Sequence, residues 1–219
     1  MTKNIMLTGG LGFIGSHTAV ELINKGYSVF IIDNLSNSSE SVVEDIKAIT
    51  GKEVFFCEGD IRDELMVGRF LQANEIDSVI HFAGSKSVNE SVSAPLHYYD
   101  NNVIGTISLL KAMTRHGIKN LIFSSSASVY GDPKYTPINE SHPLNPTNPY
   151  AQTKKQSEEI ILDCATSDSE WKTIILRYFN PVGSHSSGLI GENPRGIPNN
   201  LVPYIAKVAE GSLPCLNVY

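Results

Sequence analysis

Four glycines, Gly9, Gly10, Gly12 and Gly15, fall within seven residues directly after the apolar residues Ile5, Met6 and Leu7. A chain that gives up so many side chains where a strand should hand over to a helix is either making a loose loop or letting something approach its backbone closely. Gly10, Gly12 and Gly15 satisfy G-x-G-x-x-G, a pattern that is weak in isolation. Here it follows a predicted strand and opens a predicted helix, which is the context the pattern requires. In that setting the early glycines allow a tight turn and admit a pyrophosphate to the main chain, and the last lets the helix pack close to the sheet. The helix N-terminus then offers unpaired N–H groups and partial positive charge. An ordinary Gly-rich turn is the competing reading.

The rest of the chain agrees with a strand–helix hand-over. Short, continuous apolar runs at 4–8, 28–32, 54–57, 78–82, 121–124 and 173–178 read as strands buried on both faces. Helical patterns at 15–24, 41–50, 63–72, 95–116 and 149–165 alternate with them, and Gly26 and Gly117 stand where C-caps belong. This alternation predicts an α/β fold, a doubly wound parallel sheet with right-handed crossovers. Residues 132–148 and 181–200 read as loops. No apolar run approaches the roughly 18 residues of a membrane span, and the N-terminus runs straight into a strand, so neither a membrane anchor nor a signal peptide is expected. Cys57, Cys164 and Cys215 lack metal-ligand spacing and read as buried, reduced thiols of a cytoplasmic protein. The net charge of −6, with no basic stripe, argues against nucleic acid. Such a chain must hold phosphate with backbone dipoles and a few placed cations.

Asp33 ends the second predicted strand, 33 − 15 = 18 residues after the last glycine. An acid at about 20 residues can hydrogen-bond the ribose hydroxyls of NAD and would repel the extra phosphate of NADP. The segment 34–39 carries no Arg or Lys to offset that repulsion, so NAD is the expected cofactor. A turn-forming aspartate is the plainer alternative. Asp60 and Ile61, after the third strand, suit an adenine contact or a simple turn.

Tyr150 and Lys154 form a Tyr-x-x-x-Lys pair, preceded by Pro149 as at a helix start. On a helix their Cβ atoms lie about 5–6 Å apart. A tyrosine ionises at about 10, and an ammonium group that close draws it toward neutrality, so Tyr150 can serve as a base toward a substrate hydroxyl. A second match, Tyr130 with Lys134, is broken by Gly131 and Pro133. Ser124, Ser125 and Ser126 close a predicted parallel strand, at the end where ligands bind in open α/β sheets. Of these, Ser126 is the candidate to hold a reacting oxygen. His81 reads as a satisfied strand histidine more than as a base, and Lys86 follows on the same rim.

Together these residues resemble an extended short-chain dehydrogenase/reductase, a Rossmann-fold family, and within it the sugar-nucleotide 4-epimerases. The carriers are Thr8 to Gly15, Asp33-Asn34, Asp60-Ile61, His81 to Gly84, Ser124 to Ser126, Tyr150-x-x-x-Lys154 and Arg177 to Pro181. More specific are Lys86 to Ser91, Tyr98 to Asn102, Gly191-Glu192 and Ile197 to Leu201. The resemblance covers essentially the whole chain. It implies that Tyr150 takes a proton from the sugar's 4-hydroxyl while C4 passes a hydride to NAD, with Ser126 supporting the oxygen and Lys154 tuning the phenol. It implies cofactor contacts from Gly9, Gly12, Phe13, Ile14, Gly15, Asp33, Asn34, Asn37, Ser38, Asp60, Ile61, Phe82, Ala83, Gly84, Lys86, Asn101, Ser124, Tyr150, Lys154 and Tyr178. The UDP-sugar substrate, UDP-galactose or UDP-glucose, would meet Lys86, Ser126, Tyr150, Asn180, Asn200 and Leu201. It further implies an NAD-binding domain over 1–180, the start of a substrate region over 181–219, and a homodimer formed through 95–116 and 149–165. Family members continue well past residue 219, so the chain is expected to be C-terminally truncated, to lack an arginine clamp on the diphosphate, and to bind NAD but epimerise poorly. Two other readings stay open: a related sugar-nucleotide dehydratase, and a non-catalytic NAD-binding module.

Overall fold

In a computed structural model that describes residues 3–193, 198 and 200–216, six parallel strands form one sheet in the order β3-β2-β1-β4-β5-β6. The strands are β1 (Asn4–Thr8), β2 (Ser28–Asp33), β3 (Phe55–Glu58), β4 (Ser78–His81), β5 (Asn120–Ser126) and β6 (Lys172–Tyr178). The order reverses between β1 and β4, which opens a crevice at the carboxyl ends of those two strands.

Alternation within β1 and β2 explains why their sequences are apolar without a break. Met6, Phe30 and Ile32 point to one face and pack with Val67 and Leu71 of α3 (Glu64–Ala73), Leu109 and Met113 of a later helix, and Ile161 of another. Ile5, Leu7, Val29 and Ile31 point to the other face, against Ala19, Val20 and Ile23 of α1 (Phe13–Asn24) and Ile46 of α2 (Ser41–Thr50). The expectation of two-sided burial fails at the sheet edges. Ile174 pairs in register with Ile122 and Leu176 with Ser124, on the α1–α2 face, yet Ile174 is 54% and Leu176 39% exposed, because that layer does not reach β6. Phe55 of β3 is likewise 57% exposed.

The helix expected over 95–116 is three pieces: α5 (Pro95–Tyr98), a π-helical turn (Tyr99–Ile104) and α6 (Gly105–Arg115). The widened turn lets the buried side chain of Asn102 reach out of the helix, and Gly105 leaves room for Ile61, which a Cβ would meet at 2.8 Å. A short α4 (Val88–Ser93), N-capped by Ser87, and a C-terminal α8 (Leu201–Ala209) also form where no helix was expected. Between α6 and α8, α7 (Pro149–Ser167) starts as its sequence predicts. Asn148 accepts from the Ala151 N–H at 2.9 Å, and Pro149 takes a position where no N–H is needed.

Candidate active site

The glycine turn is dictated by backbone crowding. A Cβ on Gly9, which sits at φ +66°, would lie 2.7 Å from the Ala83 nitrogen, on the turn after β4. One on Gly15 would lie 2.5 Å from the Gly9 carbonyl oxygen and 2.7 Å from the Gly10 Cα, so only glycine lets α1 start this close to the sheet. Gly12 differs. Its Cβ would meet only the Gly9 oxygen, at 3.4 Å. Packing within the protein barely requires a glycine there, whereas a ligand pressed against the backbone at the start of α1 would. This residue also serves as the N-cap of α1 and brings no side-chain cap, so the first N–H groups of the helix are open to an anion.

The expected cofactor residues converge on the same rim. Phe13 and Ile14 open α1. Asp33 is buried at the end of β2 and accepts from the Leu11 N–H at 3.1 Å, the Leu35 N–H at 3.0 Å and the Ser38 hydroxyl at 2.8 Å. It thereby ties the glycine turn to the loop holding Asn34, Asn37 and Ser38. Asp60 is gripped by Arg62 at 2.6 and 3.0 Å and touched by Asn34, and the Arg62 hydrogen bond holds its carboxyl below the usual range. Ile61 is buried beside it. Phe82, Ala83 and Gly84 follow β4 directly. Asn101 reaches them from the π-helical turn, donating to the Ser85 hydroxyl at 3.1 Å.

Opposite stands α7. Tyr150 and Lys154 occupy its first two turns, and Lys154 Nζ donates to the carbonyl of Ser124 at 2.8 Å, 4.9 Å from the Phe123 ring centroid. Lys154 is 6% exposed, and burial pulls it down to about 8 against the support of Glu158. Tyr150 packs edge-on against Tyr98, with centroids 6.5 Å apart, and its hydroxyl lies beside Ser126. Burial raises its hydroxyl above the ordinary tyrosine value, outweighing the opposing influence of Ser126. In the structure the Lys154 ammonium group donates to the Ser124 carbonyl, and desolvation is the largest influence on the Tyr150 phenol. Ser126 caps a 3-10 turn (Ala127–Tyr130), accepting from the Ser128 N–H at 3.2 Å. Tyr178 is half-buried at the end of β6, and Asn180 just beyond it is exposed.

Lys86 pairs with Glu192 at 2.9 Å, and Asn200 donates to the same carboxylate oxygen at 2.7 Å, which brings the end of the 181–200 segment to the rim. Leu201 begins α8 and is exposed. Ile197 and Asn199, part of the motif singled out above, lie outside the described residues. His81 is a satisfied interior histidine, bonded to Thr8 at 2.7 Å and Thr106 at 3.1 Å, and burial depresses it to about 3.

Two groups have roles that the sequence does not assign: Asn102, though part of the Tyr98 to Asn102 motif, and Glu158. Asn102 donates to the Ser85 carbonyl and to Thr153 of α7, each at 3.0 Å, and accepts from the Ser85 N–H at 2.8 Å, joining the turn after β4 to the Tyr–Lys helix. Glu158, also on α7, forms a buried cluster with Arg177 and Ser125. Its only local signal is its place one helical turn beyond Lys154. Chemically, the rim combines a helix start whose first N–H groups are open to an anion, a carboxylate suited to ribose hydroxyls, and a phenol beside a serine on the helix that carries a buried lysine. Such a set can grip a dinucleotide and move a proton at a hydroxyl beside it.

A family model described as GDP-mannose 4,6 dehydratase matches residues 6–218. The chain is similar to the UDP-glucose 4-epimerase of Bacillus subtilis (strain 168), 54% identical over 98% of this chain and 63% of that protein. The crystal structure of the Bifidobacterium longum UDP-glucose 4-epimerase in complex with NAD+ and UDP matches with a TM-score of 0.94 and 53% identity, over 96% of this chain and 63% of that one. The Stenotrophomonas maltophila UDP-glucose-4-epimerase with bound NAD and formylated UDP-arabinopyranose matches with a TM-score of 0.95 and 48% identity, over 97% and 63%. The chain thus spans 63% of the length of each of these relatives.

Proposed function

The chain belongs to the GDP-mannose 4,6 dehydratase family, and from that premise we propose that it works as a UDP-glucose 4-epimerase, interconverting UDP-galactose and UDP-glucose with bound NAD. The observation that carries this reading is the meeting of Tyr150, Lys154 and Ser126 with the Gly9–Gly15 turn on one strand-end rim. NAD, when bound, supplies a reversible hydride acceptor, so that C4 can lose hydride from one face and regain it on the other, and places a positive charge near the phenol.

The chain's own residues do the rest. Gly9, Gly12 and Gly15, with Phe13 and Ile14, seat the pyrophosphate on the start of α1. Asp33, Asn34, Asn37 and Ser38 hold the adenosine ribose, while Asp60 and Ile61 meet the adenine. Phe82, Ala83, Gly84, Lys86, Asn101, Ser124 and Tyr178 line the remainder of the cofactor. Tyr150 takes the proton from the sugar 4-hydroxyl and returns it to the same oxygen, Ser126 holds that oxygen, and Lys154 favours the phenolate and binds the nicotinamide ribose. Lys86, Asn180, Asn200 and Leu201 face the nucleotide-sugar. Residues 1–180 act as the NAD-binding domain and 181–219 as part of the substrate region. The exposed Ile104 and Leu162, beside and on the helices α6 and α7, support pairing with a second copy. No helix among the described residues is long and apolar enough to cross a membrane, and the three free cysteines, none of them buried as expected (Cys57 and Cys164 are half-buried and Cys215 is exposed), support a cytoplasmic setting.

Dehydration, which the family description names, is the second reading. It needs an acid–base couple beside the serine, and Ala127 and Ser128 provide none. Calorimetric titration with NAD, followed by mass-resolved analysis of UDP-galactose turnover, tests the choice. A sugar product of unchanged mass is expected, and Tyr150→Phe should keep NAD binding while abolishing turnover. Failure to bind NAD, or a product lighter by one water, would refute the reading.

A further inference from the structure

Glu158 has no part in the chemistry just described, yet it is 1% exposed and heavily bonded. Ser125 donates its hydroxyl to it, Arg177 Nε reaches its two oxygens at 3.1 and 3.2 Å, and Arg177 Nη2 meets one of them at 2.7 Å. The other arm of Arg177 donates to the Tyr130 hydroxyl at 3.0 Å, with the guanidinium 5.0 Å from the ring centroid. Ser125 stands between Ser124, whose carbonyl receives Lys154, and Ser126, which lies beside Tyr150. One carboxylate therefore pins α7 to the ends of β5 and β6 where the candidate reacting groups arise. Apolar side chains of similar volume often stabilise such a place equally well, so packing alone does not call for a charge.

What a charge adds is an electrostatic potential at Lys154. Facing that ammonium group are the Ser124 carbonyl and Phe123 ring from β5, the neutral His81 from β4, Asn102 from the π-helical turn and Gly84 beside it. From α7 itself come Tyr150 and Glu158, and from β6 comes Arg177 behind Glu158. Among the described residues the anion placed to act on Lys154 is Glu158, one helical turn along α7 and bonded to Ser125, next to the Ser124 carbonyl that holds the ammonium group.

We propose that Glu158 is a positioning residue for the Tyr150–Lys154 pair, fixing α7 against β5 and β6 and supplying the counter-charge that keeps Lys154 protonated. The catalytic meaning of this role rests on the nucleotide-sugar reading; the electrostatic role does not. NMR titration of isotopically labelled lysine side chains, with Lys154 assigned by its loss in Lys154→Met, tests it on the protein alone. In Glu158→Gln the Lys154 midpoint should fall by about one pH unit or more. Glu158→Gln combined with Arg177→Met removes both charges and guards against misfolding of the single variant. There the fall should be smaller but in the same direction. A glutamate with a merely structural role would lower the melting temperature and leave the midpoint where it is, and an unmoved midpoint in either folded variant overturns the proposal. Failure of NAD to bind would sink the epimerase reading and leave this result standing.

Discussion

Between β1 and α1 the rim is shaped by missing side chains, whereas between β5 and α7 it is shaped by polar side chains that bond one another. At the first place a single added carbon would stand 2.5 Å from the Gly9 oxygen or 2.7 Å from the Ala83 nitrogen. At the second, Glu158, Arg177, Ser125 and Tyr130 bond one another, and removing Arg177 leaves the buried Glu158 carboxylate without its counter-charge. The glycine half is intolerant of added atoms, the polar half of lost ones. A ligand seated between them would meet bare backbone on one side and preset side chains on the other.

The largest effect should come from the polar half. Arg177→Met leaves the Glu158 carboxylate buried with Ser125 alone, and chemical denaturation should report a loss of about 3–5 kcal/mol. Adding Glu158→Gln should recover most of it; if it does not, the pair is not what holds this half together. Gly15→Ala comes next, at about 3 kcal/mol, because the atoms it meets are backbone and cannot move aside. Gly12→Ala sharpens the contrast. Its stability should change by less than about 0.5 kcal/mol, while calorimetry should show NAD affinity falling about tenfold, or roughly 1.4 kcal/mol. An unchanged affinity would remove the argument that this glycine serves a ligand.

An effect set by pH comes from His81, which bonds Thr8 at the end of β1 and Thr106 of α6. Burial lowers it from 6.5 to about 3. Between those values the unfolded chain binds the extra proton and the folded one does not, so stability rises with pH across this window and is lost as pH falls from 6.5 toward 3. In His81→Gln the slope over that window should flatten.

Much of the first half was legible because its causes are local. Continuous apolar strands, the glycine spacing and Asp33 at a strand end all follow from short-range sterics and from burial on both faces. The start of α7 was legible for the same reason, through Asn148 and Pro149. The π-helical turn was not, because it depends on where Asn102 finds Ser85 and Thr153, 17 and 51 residues away in sequence. Glu158 was missed because an acid on a helix is ordinarily solvated, and nothing in α7 itself says that Arg177 will meet it. The exposed face of β6 escaped notice as well, since an apolar run does not say which layer stops short of it.

The amino-acid order by itself determined that strands and helices alternate, that the first hand-over needs glycine, and that Tyr150 and Lys154 share a helix face. These outcomes depend on residue-scale sterics, hydrogen-bond capping and the period of apolar residues. Only the tertiary structure decided that Lys154 bonds the Ser124 carbonyl, that burial raises the Tyr150 hydroxyl, and that a buried Glu158–Arg177 pair lies behind them. Desolvation and charge pairing depend on which distant segments close over a group, and those distances exist only once the sheet is assembled.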